Sequence, residues 1–266
     1  MGSPLKSSIK ILSPDFTADV EEWYDRAELN DSAVCRATVN NDNAFHEKNF
    51  KNKLIHKICK LNGDSSHFDS EVKYSRLASK HDIGPRFFRA YVTSNREYGV
   101  IDSELLRTPL KTVLDTMERS RRYVMEGRTP SVNACGRHTC ADITFDAADA
   151  ERIKSIVHTL WAEMKCMHMD MHAENFMYRV NALGKKELML IDYGLMEARE
   201  TIGLRECARR EAIRLSSLDL VFTLEALRDT QTKYMDFMGS GHRTTDVDKE
   251  TALLASIDDV ISFLKG

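Results

Sequence analysis

The chain is short of the residues that break or stiffen a backbone. Its 266 residues include 5 prolines and 12 glycines, and no glycine stands between Gly2 and Gly63. That argues against long low-complexity linkers. No run approaches the roughly 18 apolar residues that a membrane span requires, and no apolar stretch follows the N-terminal lysines, so no membrane partner is expected. Neither sign of charge dominates: Lys and Arg number 38, Asp and Glu 41, and the net charge is −3. Nothing there draws the whole molecule to nucleic acid or to an anionic surface. The six cysteines are scattered through ordinary segments, which points to reduced thiols and an intracellular, cytoplasmic setting. Cys135-Gly-Arg-His138-Thr-Cys140 offers half a zinc site, but no second pair stands at ligand spacing, and the segment reads as a loop.

What is present is a globular composition, 42% hydrophobic and 30% charged, in a chain long enough to bury a proper core. The first half reads as short strands broken by polar turns. Ala33–Val39 alternates and is rich in β-formers, and the Asn-Asp run at 40–43 breaks it. Lys53–Leu61 reads as a second strand, ended by Asn62-Gly63-Asp64. Apolar residues at 68, 72, 74, 77 and 78 predict a helix over Phe68–His81 that stops near Gly84-Pro85. Arg86–Val92 and Tyr98–Ile101 read as two further strands. From about residue 108 the pattern is mainly helical. A helix begins over Pro109–Met117, about Arg119–Thr144 reads as a polar insertion, and Asp146–Cys166 reads as a long amphipathic helix. Glu187–Ile191 is a buried strand, and helices around 205–228 and 248–265 finish the chain.

The densest chemistry lies in Met167-His168-Met169-Asp170-Met171-His172-Ala173-Glu174-Asn175, followed by Leu188-Met189-Leu190-Ile191-Asp192-Tyr193-Gly194. Taken alone, His168, Asp170 and His172 suggest metal ligands of a metallohydrolase, and an Asp-aromatic-Gly after a strand is a common turn. Taken together, in this order, the two segments resemble the catalytic loop and the metal-binding Asp-Phe-Gly of the protein-kinase-like superfamily. The chain looks like a compact, atypical serine/threonine kinase of the type found in large DNA viruses or bacterial effectors. Phosphoryl transfer requires a carboxylate beside the attacking hydroxyl and oxygen ligands for a hard cation.

The resemblance implies a single α+β domain over 1–266 with a bilobal kinase-like fold. Residues 1–104 would form an N-lobe of a small antiparallel, five-stranded sheet and one helix; residues 105–266 would form a mainly helical C-lobe. It implies ATP with Mg²⁺ or Mn²⁺ as cofactors. Asp170 becomes the catalytic carboxylate, and Asn175 and Asp192 the metal ligands. Lys57 grips the phosphates and is paired with Glu71. Ser103 stands at the gatekeeper position, and Glu104 and Leu105 offer backbone groups to adenine. Lys60 is the rival of Lys57, on the opposite face of the same strand. His168 would organise the loop, Gly194 would let the backbone turn after the metal ligand, and Asp219 would brace the loop.

The chain also departs from the family. Ala27–Val34 stands where a glycine-rich loop belongs, with Asp31 near the expected triphosphate. His172 replaces the usual lysine, where a protonated imidazole would touch the γ-phosphate. No Ala-Pro-Glu follows Asp192-Tyr193-Gly194; Arg199, Arg205, Arg209, Arg210 and Arg214 lie on mixed-charge helix faces instead. The first expectation is therefore a kinase acting on protein Ser/Thr hydroxyls, in the host cytoplasm for a viral or effector protein. A small-molecule acceptor is the second expectation. The alternative from another class is a non-catalytic pseudokinase.

Overall fold

The computed structural model describes residues 54–61, 63–93, 95–106, 108–128, 143–181, 184–239 and 247–266, together with the backbone of strands at 10–11, 35–39 and 42–49. The Cys135–Cys140 segment and residues 27–34, Asp31 among them, lie outside the described residues. The chain is α+β and divides into two compact units, Met1–Leu106 with Asp192–Met196, and Arg107–Ile191 with Glu197–Gly266.

Among the described residues the first unit holds a sheet of six strands, where five were expected. They are β1 (Lys10–Ile11), β2 (Cys35–Val39), β3 (Asp42–Asn49), β4 (Leu54–Lys60), β5 (Phe87–Val92) and β6 (Tyr98–Glu104). Their order is β1-β5-β6-β4-β3-β2. Every pairing is antiparallel except β1 with β5. The Asn-Asp run does not lie wholly outside the sheet: Asp42 and Asn43 belong to β3 and pair with Val39 and Thr38 of β2.

Gly63, at φ 82°, turns the chain out of β4 and leads into the helix α1 (Ser66–Lys80). That helix lays Phe68 and Val72 onto Cys59, Leu61, Ala90 and Ile101 of the sheet side. Phe68 sits directly on Gly99, where a Cβ would come within 2.6 Å of the ring. Burial of such side chains contributes about 1.5–3 kcal/mol each. The helix ends with Asp82 left-handed at φ 54° and the Ile83 N–H donating to the Ala78 carbonyl. Aspartate takes this conformation more readily than most side chains.

The second unit is mainly helical. Its long helices are α2 (Leu110–Met125), α3 (Ala147–Ala162), α5 (Glu206–Ser216), α6 (Leu218–Gly239) and α7 (Val247–Lys265), with a single turn α4 (Arg199–Ile202). Leu110, Leu114, Ile153, Ile156, Leu160, Leu224 and Ile257 form its buried interior. The polar stretch read as an insertion from Arg119 is still helix as far as Met125. Arg121 explains this, because it bonds Gln231 on α6 and Glu250 on α7. Asp146 caps α3, and its capping box with Asp149 satisfies the first-turn N–H groups.

The α3 helix stops at Ala162 rather than Cys166 because the chain turns at Lys165, which has φ 57°. Cys166–His168 (β8) follows as a short strand, paired with Met196–Ala198 (β11), whose last two residues belong to this unit. A second ladder joins Thr108–Pro109 (β7), Phe176–Val180 (β9) and Lys186–Leu190 (β10) in the order β10-β9-β7. The β9–β10 hairpin carries the chain from the His168–Asn175 loop to Asp192. Among the described residues no helix is long and apolar enough to cross a membrane.

Candidate active site

In the first unit, β4 alternates. Lys57 lies opposite Ile101 of β6, while His56 lies opposite Asp102. Lys57 is therefore on the face that also carries Cys59, the face covered by α1. Its Nζ stands 2.6 Å from Glu71 Oε1 of α1 and 2.7 Å from Asp192 Oδ1. All three side chains are largely buried, at 13%, 9% and 21% exposure. Burial alone pushes the Lys57 ammonium down, but the Glu71 and Asp192 carboxylates overcome it and hold the group above the ordinary lysine range. Lys57 stays charged at any physiological pH. It is Lys57, rather than Lys60 at the Tyr98 end of the strand, that meets both carboxylates.

Asp192 takes a left-handed backbone, φ 60°. The expected sharp turn therefore falls on the aspartate itself, not on Gly194, which does not have positive φ. A non-glycine residue held there is strained, and such strain concentrates at functional positions. Tyr193, 2% exposed, helps to hold it, since its hydroxyl is seated against Gly84, where a Cβ would come within 2.2 Å. On the opposite sheet face Asp102 is clamped by His56 Nδ1 at 2.6 Å and by Arg89.

At the end of β6, Ser103 pairs with Ile55 and Phe87. Glu104 donates its N–H to the Arg86 carbonyl at 2.9 Å and accepts the Arg86 N–H on its carboxylate at 3.1 Å. The Glu104 N–H is thus committed inside the unit and is not available to a base. Leu105 and Leu106 are buried.

In the second unit, the loop between β8 and β9 is organised by its own polar groups. His168 is fully buried. Its Nδ1 accepts the Asp170 N–H at 3.2 Å, so the ring proton belongs on Nε2, 3.2 Å from the Ile191 carbonyl. Both ring nitrogens are thereby used inside the fold, which removes His168 as a metal ligand and weakens the metallohydrolase reading. Asn175 donates its Nδ2 to the Asp170 carbonyl at 2.9 Å and lies 3.4 Å from Asp170 Oδ2. Its backbone carbonyl accepts the Ile191 N–H at 2.8 Å. With the amide nitrogen turned to Asp170, the Asn175 Oδ1 is directed away from that contact, as an oxygen ligand for a hard cation requires. His172 accepts the Glu174 N–H on Nδ1 at 3.2 Å, and its Nε2 lies 3.5 Å from Asp170 Oδ2.

The Met171 N–H donates to the Ser216 carbonyl at 2.7 Å. The brace on the loop is thus the C-terminal end of α5, not Asp219, which is exposed. Ser216, the Ile191 carbonyl, Arg86 and Gly84 were not singled out from sequence. Three of the contacts involved are backbone contacts that carry no side-chain signature, and only the Gly84-Pro85 turn left a trace in the pattern. Among the described residues no group of three or more His, Cys, Asp or Glu side chains is arranged to hold a metal by itself.

No family model matches the chain, and no curated protein matches it.

Proposed function

We propose that this chain is an ATP- and divalent-metal-dependent phosphotransferase with a bilobal protein-kinase-like fold, acting first on serine or threonine hydroxyls of proteins. One observation carries the reading. Lys57, Glu71 and Asp192, chosen from three separate stretches of sequence for phosphate and metal binding, meet at 2.6 and 2.7 Å. A buried lysine held charged between two carboxylates is a poor stabilising device compared with apolar packing. It is a good device for gripping a polyphosphate once a cation draws off part of the carboxylate charge.

In the proposed reaction the acceptor hydroxyl attacks the γ-phosphorus in line. The new O–P bond forms as the bond to the β,γ-bridging oxygen breaks, ADP leaves with that electron pair, and the hydroxyl proton passes to the Asp170 carboxylate. Asn175 and Asp192 would hold Mg²⁺ or Mn²⁺, which would supply charge neutralisation on the transferred phosphoryl group. Lys57 holds phosphate oxygens and Glu71 keeps Lys57 in place. His168 fixes the loop backbone at Asp170, through the N–H it accepts.

The test is transfer of labelled γ-phosphate from ATP, with Mg²⁺ or Mn²⁺, to the protein itself, to generic protein substrates and to small hydroxyl compounds. Label on protein supports the kinase acting on proteins, and label on small acceptors alone moves the substrate class. A second reading, a kinase-shaped binding module without catalysis, is favoured by the Glu104 N–H, which is spent on Arg86 rather than offered to adenine. It predicts no transfer to any acceptor.

A further inference from the structure

His172 holds the position where a contact to the γ-phosphate was expected, but its hydrogen bonds direct it elsewhere. Nδ1 accepts the backbone N–H of Glu174 at 3.2 Å. An acceptor at Nδ1 leaves the proton of a neutral imidazole on Nε2. Nε2 in turn lies 3.5 Å from Asp170 Oδ2, the same oxygen that Asn175 Nδ2 approaches at 3.4 Å. The backbone ties the pair further: the His172 N–H donates to the Asp170 carbonyl at 3.2 Å and the His172 carbonyl accepts the Asn175 N–H at 3.0 Å. His172 and Asp170 are both about one-third exposed, so the ring is placed by these bonds and not by burial.

We propose that His172 is a positioning residue for Asp170, its Nε2–H turned by the Glu174 amide toward the catalytic carboxylate, rather than a ligand of the transferred phosphate. Two donors approaching one carboxylate oxygen limit rotation about the side-chain bond and fix the direction from which the acceptor hydroxyl is met. Contacts of this kind are long in the ligand-free state and shorten in the productive complex. The inference rests on the phosphotransferase reading for its consequence, but the tautomer on which it depends is independent of activity.

The experiment has two arms on the full chain. Long-range ¹H–¹⁵N correlation on histidine-labelled protein, with His172 assigned by its loss in His172→Gln, reads the tautomer. An unprotonated Nδ1 and a protonated Nε2 are expected; a proton on Nδ1 overturns the proposal. The second arm compares steady-state transfer by wild type, His172→Ala, His172→Gln and His172→Asn. Glutamine places its amide donor near the position of Nε2, whereas asparagine reaches only that of Nδ1. Loss of positioning predicts a kcat lower by about ten- to a hundredfold in His172→Ala and His172→Asn, with KM for ATP unchanged and most of the rate recovered in His172→Gln. A raised KM for ATP at an unchanged kcat in His172→Ala makes the ring a phosphate contact and overturns the proposal. If wild type transfers no phosphate, the phosphotransferase reading fails by itself, and the tautomer arm still decides where the ring is directed.

Discussion

Lys57 concentrates the account in one side chain. It is buried with two carboxylates, so removing its charge takes away the ammonium that bridges Glu71 and Asp192. Lys57→Met is expected to destabilise the fold by about 3 kcal/mol, read as a lower urea midpoint. Lys60→Met, a lysine half-buried near the strand end, is expected to stay within about 0.5 kcal/mol. The pH dependence follows from the direction of the Lys57 shift. Its value in the folded chain lies above the unfolded one, so its stabilising contribution is complete below about pH 10.4. That contribution is lost only as the pH climbs further, through the folded value. The stability gap between wild type and Lys57→Met is therefore expected to be constant from pH 6 to 9 in urea melts. A gap that closes within that window would place the lysine's titration far lower than its partners allow.

At the scale of elements, the seat of Tyr193 on Gly84 links the turn after α1 to the turn that carries Asp192. Gly84→Ala puts a methyl 2.2 Å from the Tyr193 hydroxyl and 3.1 Å from both the ring carbon that bears it and the Ala78 methyl. A loss of about 1–3 kcal/mol is expected from this overpacking. Tyr193→Phe in the same chain should restore part of it, because the closest clash is with the hydroxyl alone. Asp146→Ala should cost about 1 kcal/mol by removing the α3 cap, read by thermal melting.

These elements differ in how far the pattern of residues revealed them. Leu54–Lys60 and Ser66–Lys80 were found within two residues, because a β-rich run, a glycine turn and a helical spacing of apolar residues all agreed. The β9 strand was missed because Phe176–Val180 follows a polar loop and is ordered by pairing with β10 and β7, which no local window contains. The end of α2 was misread for a related reason: Arg121 looks like surface charge until Gln231 and Glu250, from two distant helices, meet it. For the candidate site, residue types and order were legible. The tie from Lys57 to Asp192 spans 135 positions, and only the folded chain can show it. The backbone acceptors at Ser216 and Ile191 leave no mark on side-chain chemistry at all.

For the whole molecule, the six-stranded unit presents Lys57, Glu71 and Asp192, and the helical unit presents Asp170, His172 and Asn175. The phosphotransferase reading requires ATP and metal to bind together, because the cation offsets the charge of the Asp192 carboxylate that Lys57 engages. ATP with Mg²⁺ is expected to raise the melting temperature more than ATP with EDTA. At a hundred times the dissociation constant the stabilisation would be about 2.7 kcal/mol. Asp192→Asn should remove the metal-dependent part while leaving the protein folded. The most direct test of the central claim is transfer of labelled γ-phosphate in the presence of Mg²⁺ or Mn²⁺, comparing wild type with Asp170→Asn and Lys57→Met. The account predicts label on the protein or on an added acceptor from wild type, and a fall of at least about a hundredfold in each variant. No label from wild type with either metal, or variants that label as well as wild type, would contradict it.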